Sequence, residues 1–179
     1  MAIAFELAVN FGSNETAARA AHDLVIYSGH LAAGRRRIGL HKPLLNHNRR
    51  TDNVPYLEMS VIPVGVGWGV ALDDGHEPVR LTAAELTELG RGLYQLLARF
   101  TGYQAAQVGW DPEWRVDPAE LRQEWTDELA TGTLPGLVLA EDVLSEMRGS
   151  GFVLFAPGFY WIPYAGEHSS TLTRDDGTS

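Results

Sequence analysis

The chain has 179 residues, with 14 Lys and Arg against 23 Asp and Glu, a formal charge of -9 and no cysteine. One domain is the default for this length, and such a chain can bury a core without disulfide bonds. The acidic balance argues against a general nucleic-acid binder, and the lack of cysteine excludes disulfides, thiolate zinc sites and cysteine nucleophiles. No apolar run reaches the roughly 20 residues of a membrane span. The N-terminus also lacks the pattern of a signal peptide, so we expect a cytoplasmic protein without membrane contact.

The first half of the chain shows strand and helix patterns with one long interruption. Residues 2–11 alternate apolar and polar side chains, as a half-buried strand does. Helical spacing then predicts a helix over about residues 15–32. Residues 35–54 show no periodicity and are interpreted as a long loop. Two further strands are predicted at residues 56–63 and 68–73.

The most clearly marked element is the helix that begins after Thr82. Thr82 and Glu85 have the spacing of a capping box, and Gly102 provides a stop. A strand at residues 104–110 follows. The resulting order β-α-β-β-α-β over residues 1–111 predicts an α+β fold with a ferredoxin-like core, in which two helices pack on one face of an antiparallel or mixed sheet. The apolar face of the helix is formed by Leu86, Leu89, Leu93, Leu96, Leu97 and Phe100.

Residues 112–166 are predicted to extend the same domain with further α/β structure. The patterns indicate a helix from Asp117, a short strand at 137–139, a short helix at 141–148 and a hairpin of strands at 152–155 and 159–164. Residues 167–179 are polar and are predicted to form a flexible tail. We therefore expect one domain over residues 1–166.

The hairpin is rich in aromatic side chains. Adjacent residues of a strand point to opposite faces, so Tyr160 and Trp161 cannot both face one core. Some of these rings should therefore reach the surface or line a pocket. The rings concerned are Phe152, Phe155, Phe159, Tyr160, Trp161 and Tyr164.

Motifs of catalysis and metal binding give little support for an enzyme. There is no G-x-S-x-G nucleophile elbow, and the neighbouring carboxylates occur in turns and helix starts, where capping and solvation explain them. The spacing of His41 and His47 matches no metal motif. We predict no catalytic residue, no metal site and no cofactor.

The segment 111–128 holds seven acidic residues against two arginines, beside two tryptophans. A small acidic α+β chain of this kind is similar to the immunity proteins that bacteria make against their own secreted toxins. The resemblance implies a non-catalytic protein that binds a basic protein partner, with acidic side chains for steering and aromatic side chains for holding it. The predicted contact residues are Trp110, Glu113, Trp114, Asp117, Glu120 and Glu124.

Two alternatives remain open from the sequence. The loop at 35–54 concentrates basic side chains. A solvated loop explains this concentration, and so does an anionic ligand, bound by a small-molecule binding protein or an enzyme. A structural or assembly subunit is the other alternative, because an exposed sheet edge can pair with another chain. The oligomeric state is left open. The residues predicted for anion binding are Arg35, Arg36, His41, His47, Arg49 and Arg50.

Overall fold

The computed structural model describes residues 1–177, with the exception of the side chain of Trp114, and shows an α+β fold. No helix in this range is long and apolar enough to cross a membrane. The strands are β1 (Ile3–Gly12), β2 (His30–Ala33), β3 (Arg36–Gly39), β4 (Leu44–Arg49), β5 (Pro55–Val61), β6 (Gly67–Trp68), β7 (Ala105–Trp110), β8 (Val138–Ala140), β9 (Val153–Ala156) and β10 (Phe159–Trp161). The helices are α1 (Glu15–Ile26), α2 (Ala83–Leu97), α3 (Pro118–Glu124), α4 (Thr126–Thr131) and α5 (Glu141–Ser145), with 3-10 helices at Ala71–Asp73 and Pro112–Arg115.

The main sheet is open and antiparallel, and β1 lies in its interior. Its strand order is β4-β5-β1-β7-β8-β10-β9, with the short β6 paired to the start of β1. Leu7 of β1 lies opposite Val61 of β5 and Val108 of β7. Because side chains alternate along a strand, Leu7 and Val9 enter the main core while Glu6 and Asn10 face the other side of the sheet.

The predicted helix after Thr82 is confirmed as α2. The Thr82 hydroxyl accepts from the Glu85 amide, and the Glu85 carboxylate accepts from the Thr82 amide, which completes the capping box. All six residues of its predicted apolar face are buried. They join one core cluster with Ala18, Ala21 and Val25 of α1.

The chain after β7 covers the second face of the sheet. The Asn10 side-chain amide donates to the carbonyl of Val116 at 2.9 Å, and the Gln107 side-chain amide donates to the carbonyl of Pro135 at 3.1 Å. Val116 and Leu121, which belong to this segment, are fully buried. The polar side chains of β1 are therefore enclosed between two layers rather than solvated.

The predictions for residues 15–54 were wrong in two places. The first helix ends at Ile26, and the predicted helical stretch beyond it contains the start of β2 at His30. β2 pairs with β3 across a tight turn at Gly34, where φ is +62°. The predicted loop contains β3 and β4. Because β4 is an edge strand with exposed polar side chains, its sequence carries no alternation of apolar and polar residues.

Two later elements also differ from the prediction. The strand predicted at 68–73 is reduced to β6 and a 3-10 helix, because Gly69 has a φ of +65° that ends extended pairing. The single helix predicted from Asp117 is two short helices, α3 and α4, which meet at Trp125. The later predicted elements are present as β8 and β9, each shifted by one residue, and as α5 and β10, each shorter than predicted.

Residues 167–177, for which the sequence predicts a flexible tail, lie against α2. The Glu167 amide donates to the Thr87 hydroxyl at 2.8 Å, and the Arg174 amide donates to the Leu81 carbonyl at 2.8 Å. The Arg174 guanidinium also bonds the Glu85 carboxylate. These contacts join residues far apart in sequence, so local composition does not reveal them.

Candidate functional site

A cleft of about 320 Å³ opens between the β4–β5 hairpin and the segment that begins at the 3-10 helix Pro112–Arg115. Its volume lies in the range of about 300 to 1,000 Å³ that is typical of ligand sites. We call it the acidic cleft, because four of its lining side chains are carboxylic acids. The lining residues are Asn48, Arg49, Thr51, Tyr56, Glu58, Glu113, Asp117 and Glu120.

The antiparallel register of β1 and β5 determines which of their acidic side chains share a face of the sheet. Asn10 lies opposite Glu58 and Ala8 lies opposite Ser60, so Glu6 and Glu58 project from the same face of the sheet. Glu58 is 4% exposed and Glu6 is 6% exposed. Glu58 lines the cleft, whereas Glu6 does not line it but is buried on the same face of the sheet, close enough to Glu58 and Glu113 to interact with both.

Burial and, after it, the neighbouring carboxylates of Glu113 and Glu58 together raise the pKa of the Glu6 carboxyl group to about 8. The Ser60 hydroxyl, a donor that favours the ionised form, acts in the opposite direction. Because a charged carboxylate loses more hydration on burial than a neutral acid does, the protonated form is preferred here. Glu6 is therefore mostly a neutral acid at pH 7.

The pKa of the Glu58 carboxyl group is raised to about 7, again chiefly by burial. Hydrogen bonds from Tyr56, whose hydroxyl donates at 3.2 Å, and from Asn48 partly counter this rise. The charges of Glu113 and Asp117 add to it. A pKa so close to neutrality makes the charge of Glu58 sensitive to any ion that enters the cleft.

Asp117 is held by both walls of the cleft. One carboxylate oxygen accepts from the Ala119 amide at 2.9 Å and caps α3, while the other accepts from the Thr51 amide at 2.9 Å. The Arg50 guanidinium lies 3.8 Å away. Because these partners come from two separate segments, Asp117 fixes the 3-10 helix and α3 relative to the β4–β5 hairpin.

The two remaining acids of the cleft, Glu113 and Glu120, have little around them to balance a negative charge. Within the described part of the chain, Glu113 Oε2 is buried and has no hydrogen-bond partner. The pKa of Glu120 is raised by burial and then by the charges of Asp117 and Glu124. A shortage of donors and a surplus of like charge both favour the arrival of a cation.

The two arginines at the cleft, Arg49 in its lining and Arg50 at 3.8 Å from Asp117, also have partners outside it. Arg49 donates to the Asn53 carbonyl at 3.1 Å, and Arg50 bonds the carboxylate of Asp52 at 2.7 Å. Five carboxylic acids, counting Glu6, thus converge where two guanidinium groups are near. The balance of charge in the cleft is strongly negative when these acids are ionised.

The structure brings together part of the predicted contact set. Glu113, Asp117 and Glu120 line the acidic cleft, and Glu124 is exposed at the end of α3. Trp110 instead packs edge-to-face on Phe5, with ring centroids 5.3 Å apart, and is half-buried. Trp114 belongs to the 3-10 helix, but its side chain lies outside the described part of the structure.

The residues predicted for anion binding do not form one patch. Arg36 lies near Glu85 at the start of α2, and His41 bonds the Asp73 carboxylate at 2.7 Å. Arg35 is exposed in the turn between β2 and β3, and His47 is exposed on β4. Arg49 and Arg50 lie at the far end of β4 from His41, beside the acidic cleft.

Sequence reasoning missed Glu6, Tyr56 and Glu58. The alternation of residues 2–11 indicates that Glu6 faces away from the main core, but it does not reveal that a second layer covers that face. Glu58 offered a usable signal, because it lies inside the strand-forming run from Tyr56 to Val61. A lone acid in such a run is typical of a buried functional or paired carboxylate.

Among the residues that the structure describes, no group of three or more His, Cys, Asp or Glu side chains has the geometry to hold a metal ion. Comparison of the chain with known protein families, with curated proteins and with solved structures finds no match. What the carboxyl groups of the acidic cleft can do chemically is to surround a cationic group and to release protons when that group binds.

Proposed function

We propose that the protein is a non-catalytic binding protein whose acidic cleft receives a cationic side chain, most favourably an arginine, from a basic protein partner. The observation that carries the proposal is the convergence of Glu58, Glu113, Asp117 and Glu120 on one open cleft, with Glu6 buried close to two of them. Carboxylates accept the parallel N–H groups of a guanidinium in a bidentate manner, which gives both energy and orientation.

The raised pKa values of Glu6 and Glu58 link the binding of a cation to the release of protons. Burial and the neighbouring carboxylates keep these two groups wholly or partly protonated at neutral pH. A guanidinium favours their ionised forms, so binding couples to proton release. The interaction is consequently stronger at higher pH and weaker at high ionic strength.

The partner is proposed to be basic because the whole chain and the cleft share the same sign of charge. A formal charge of -9 steers a positively charged protein toward the surface, and the cleft then fixes one of its side chains. An immunity protein that masks the anion-binding active site of a basic toxin would use this arrangement. Glu124, exposed on α3 outside the cleft, is proposed to belong to the same contact surface.

For residues 1–111 we propose a ferredoxin-like core. Supporting observations are the chain order β1, α1, β4, β5, α2, β7 and the antiparallel sheet order β4-β5-β1-β7. The β2–β3 hairpin is then an insertion between α1 and β4. The acidic cleft would lie on the face of this sheet opposite the main core.

A defined peptide tests the proposed function. Calorimetric titration compares the acetylated tripeptide amide Gly-Arg-Gly with the same peptide carrying citrulline, which has arginine's shape without its charge. We expect saturable binding of the arginine peptide with a Kd of about 0.1 to 10 mM, as suits one buried side chain, and at least about tenfold weaker binding of the citrulline peptide.

Matched variants localise the binding. Glu113→Gln removes one charge from the cleft and should weaken the arginine peptide severalfold. Glu141→Gln removes the same charge from an exposed position on α5 and should leave the affinity unchanged. Equal affinity for the two peptides, or an equal effect of the two variants, would contradict the proposal.

A further inference from the structure

The two edges of the main sheet differ in how they are protected. β4 forms one edge and β9 forms the other. An edge strand presents unpaired backbone N–H and C=O groups, and charged side chains on the edge discourage pairing with another chain. β4 carries polar residues through Asn46 to Arg49, whereas β9 consists of Val, Leu, Phe and Ala.

The chain around β9 is also free of charge. From residue 149 to residue 166 there is no Asp, Glu, Lys, Arg or His, although the whole chain carries a formal charge of -9. Two copies of an acidic protein repel one another where their acidic surfaces meet. This stretch is a surface across which they can approach without opposing like charges.

The exposed side chains of β9 are apolar. Val153 is 50% exposed and Leu154 is 63% exposed. Beside them a groove of about 350 Å³ lies between α2 and the β9–β10 hairpin. Its lining is mostly apolar and aromatic, with Tyr94, Phe155 and Trp161 in its wall, and α2 adds Arg91 and Gln95. Contiguous exposed apolar surface of this kind marks an interaction site more often than free surface.

We propose that two copies of this chain form a homodimer by antiparallel pairing of their β9 strands, which joins the two sheets into one. A strand paired antiparallel with its own copy obeys two-fold symmetry, so the same residues meet on both sides of the axis. The outward backbone groups of β9 then gain partners, and Leu154 of each copy is shielded from water.

A second copy fits this edge better than a charged partner does. No side chain from 149 to 166 offers a charge with which an acidic or basic protein could pair. The strand has four residues, so the number of new hydrogen bonds is small and the dimer is expected to be of modest, roughly micromolar affinity. Salt should strengthen it, because screening reduces the repulsion between two acidic copies.

The dimer is independent of the proposed function but compatible with it. The acidic cleft is lined by residues of β4 and β5, at the other end of the strand order from β9. Both clefts of a dimer therefore stay open. A partner with two suitably placed cations, or a dimeric partner, would bind with the added strength of bivalency.

Sedimentation equilibrium of the full chain tests the dimer. We expect the mass to rise toward that of two copies between about 1 and 200 µM, with a higher dimer fraction as salt increases. Leu154→Lys should raise the dimer Kd at least about tenfold, because it places two like charges across the axis. Leu44→Lys is the matched control: Leu44 is 38% exposed on the β4 edge, and its replacement should leave the mass unchanged.

Circular dichroism of both variants establishes that they are folded, as their exposure leads us to expect. A wild-type chain that stays monomeric across this range would overturn the proposal. So would an equal loss of dimer in the two variants. Hydrogen exchange at the two ends of the range gives a second readout: concentration-dependent protection should occur at Val153–Ala156, and protection at Leu44–Arg49 instead would place the interface on the wrong edge.

Discussion

The buried carboxyl group of Glu6 on β1 lies close enough to the carboxyl group of Glu113, in the 3-10 helix that follows β7, for the two to affect each other's ionisation. Two carboxylates so close repel one another, so one of them tends to hold a proton, and the burial of Glu6 favours protonation there. This contact connects the centre of the sheet to the layer that covers it. It also makes the stability of the fold depend on pH.

The stability of the fold should vary with pH in a way that reports the protonation of Glu6. Its pKa is raised from 4.5 to about 8 in the folded chain, so the folded state binds more protons than the unfolded state between those values. The contribution of this group to the free energy of unfolding is therefore largest below about pH 4.5. It falls by a few kcal/mol in total as the pH rises to about 8. Denaturation by urea at a series of pH values measures it.

Glu6→Gln keeps a neutral polar group at this position and should flatten that decline, so that the variant exceeds the wild type in stability at pH 8. Glu124→Gln, on the exposed end of α3, is the control and should keep the wild-type slope. A wild-type profile that is level from pH 5 to 8 would contradict the assignment.

A second prediction concerns Tyr94, whose hydroxyl bridges β7 and the chain just before β8 begins. It accepts from the Val108 amide at 3.1 Å and donates to the Gly136 carbonyl at 2.7 Å. Tyr94→Phe leaves both backbone groups buried without partners, which should lower the unfolding free energy by about 1 to 3 kcal/mol. Tyr27→Phe removes an exposed hydroxyl and should change it by less than about 0.5 kcal/mol.

A third prediction separates two glycines of α2. A Cβ atom on Gly90 would lie 2.5 Å from the Tyr164 hydroxyl oxygen, whereas one on Gly92 would lie 3.5 Å from the nearest Leu31 carbon. Gly90→Ala should therefore destabilise the fold by about 1 to 3 kcal/mol through overpacking. Gly92→Ala should stabilise it by about 0.5 to 1 kcal/mol, because Ala is the better helix former. Thermal unfolding distinguishes the two signs, and a gain in both variants would refute the contact with Tyr164.

A fourth prediction concerns the rigidity of the acidic cleft. Asp117→Ala removes the cap of α3 and the acceptor for the Thr51 amide, so it should cost about 1 to 3 kcal/mol of stability. Asp127→Ala, in the exposed first turn of α4, makes the same change without these bonds and should cost under about 1 kcal/mol. Chemical denaturation compares them, and equal losses would show that Asp117 does not join the two walls.

How much of the fold follows from the sequence is decided by how local each signal is. The capping box at Thr82 and the apolar face of α2 involve neighbours in sequence, and both were predicted correctly. β4 was missed because an edge strand needs no apolar alternation, and β2 was read as helix because its alanines suit either structure. The layer that covers Glu6 is the chain after β7. It is held by contacts between β1 and residues beyond 110, so no local pattern in the sequence reveals it.

For the candidate site too, local signals were visible in the sequence and contacts between distant residues were not. The acidic character of residues 113–120 was visible in the sequence, and three of the predicted residues do line the cleft. Their convergence with Glu58 was not visible, since it arises from the pairing of β1 with β5 and the return of the chain after β7. The basic residues of 35–50 looked like one cluster only because they are close in sequence, and the β2–β3 hairpin and β4 separate them in space.

The most direct test of the cation-binding cleft is the number of protons released when the arginine peptide binds. Calorimetric titration at pH 7 in two buffers of different ionisation enthalpy measures this number. The raised pKa values of Glu6 and Glu58 predict the release of about one proton per bound arginine peptide, and none with the citrulline peptide. Binding of the arginine peptide without proton release, or no binding at all, would contradict the account.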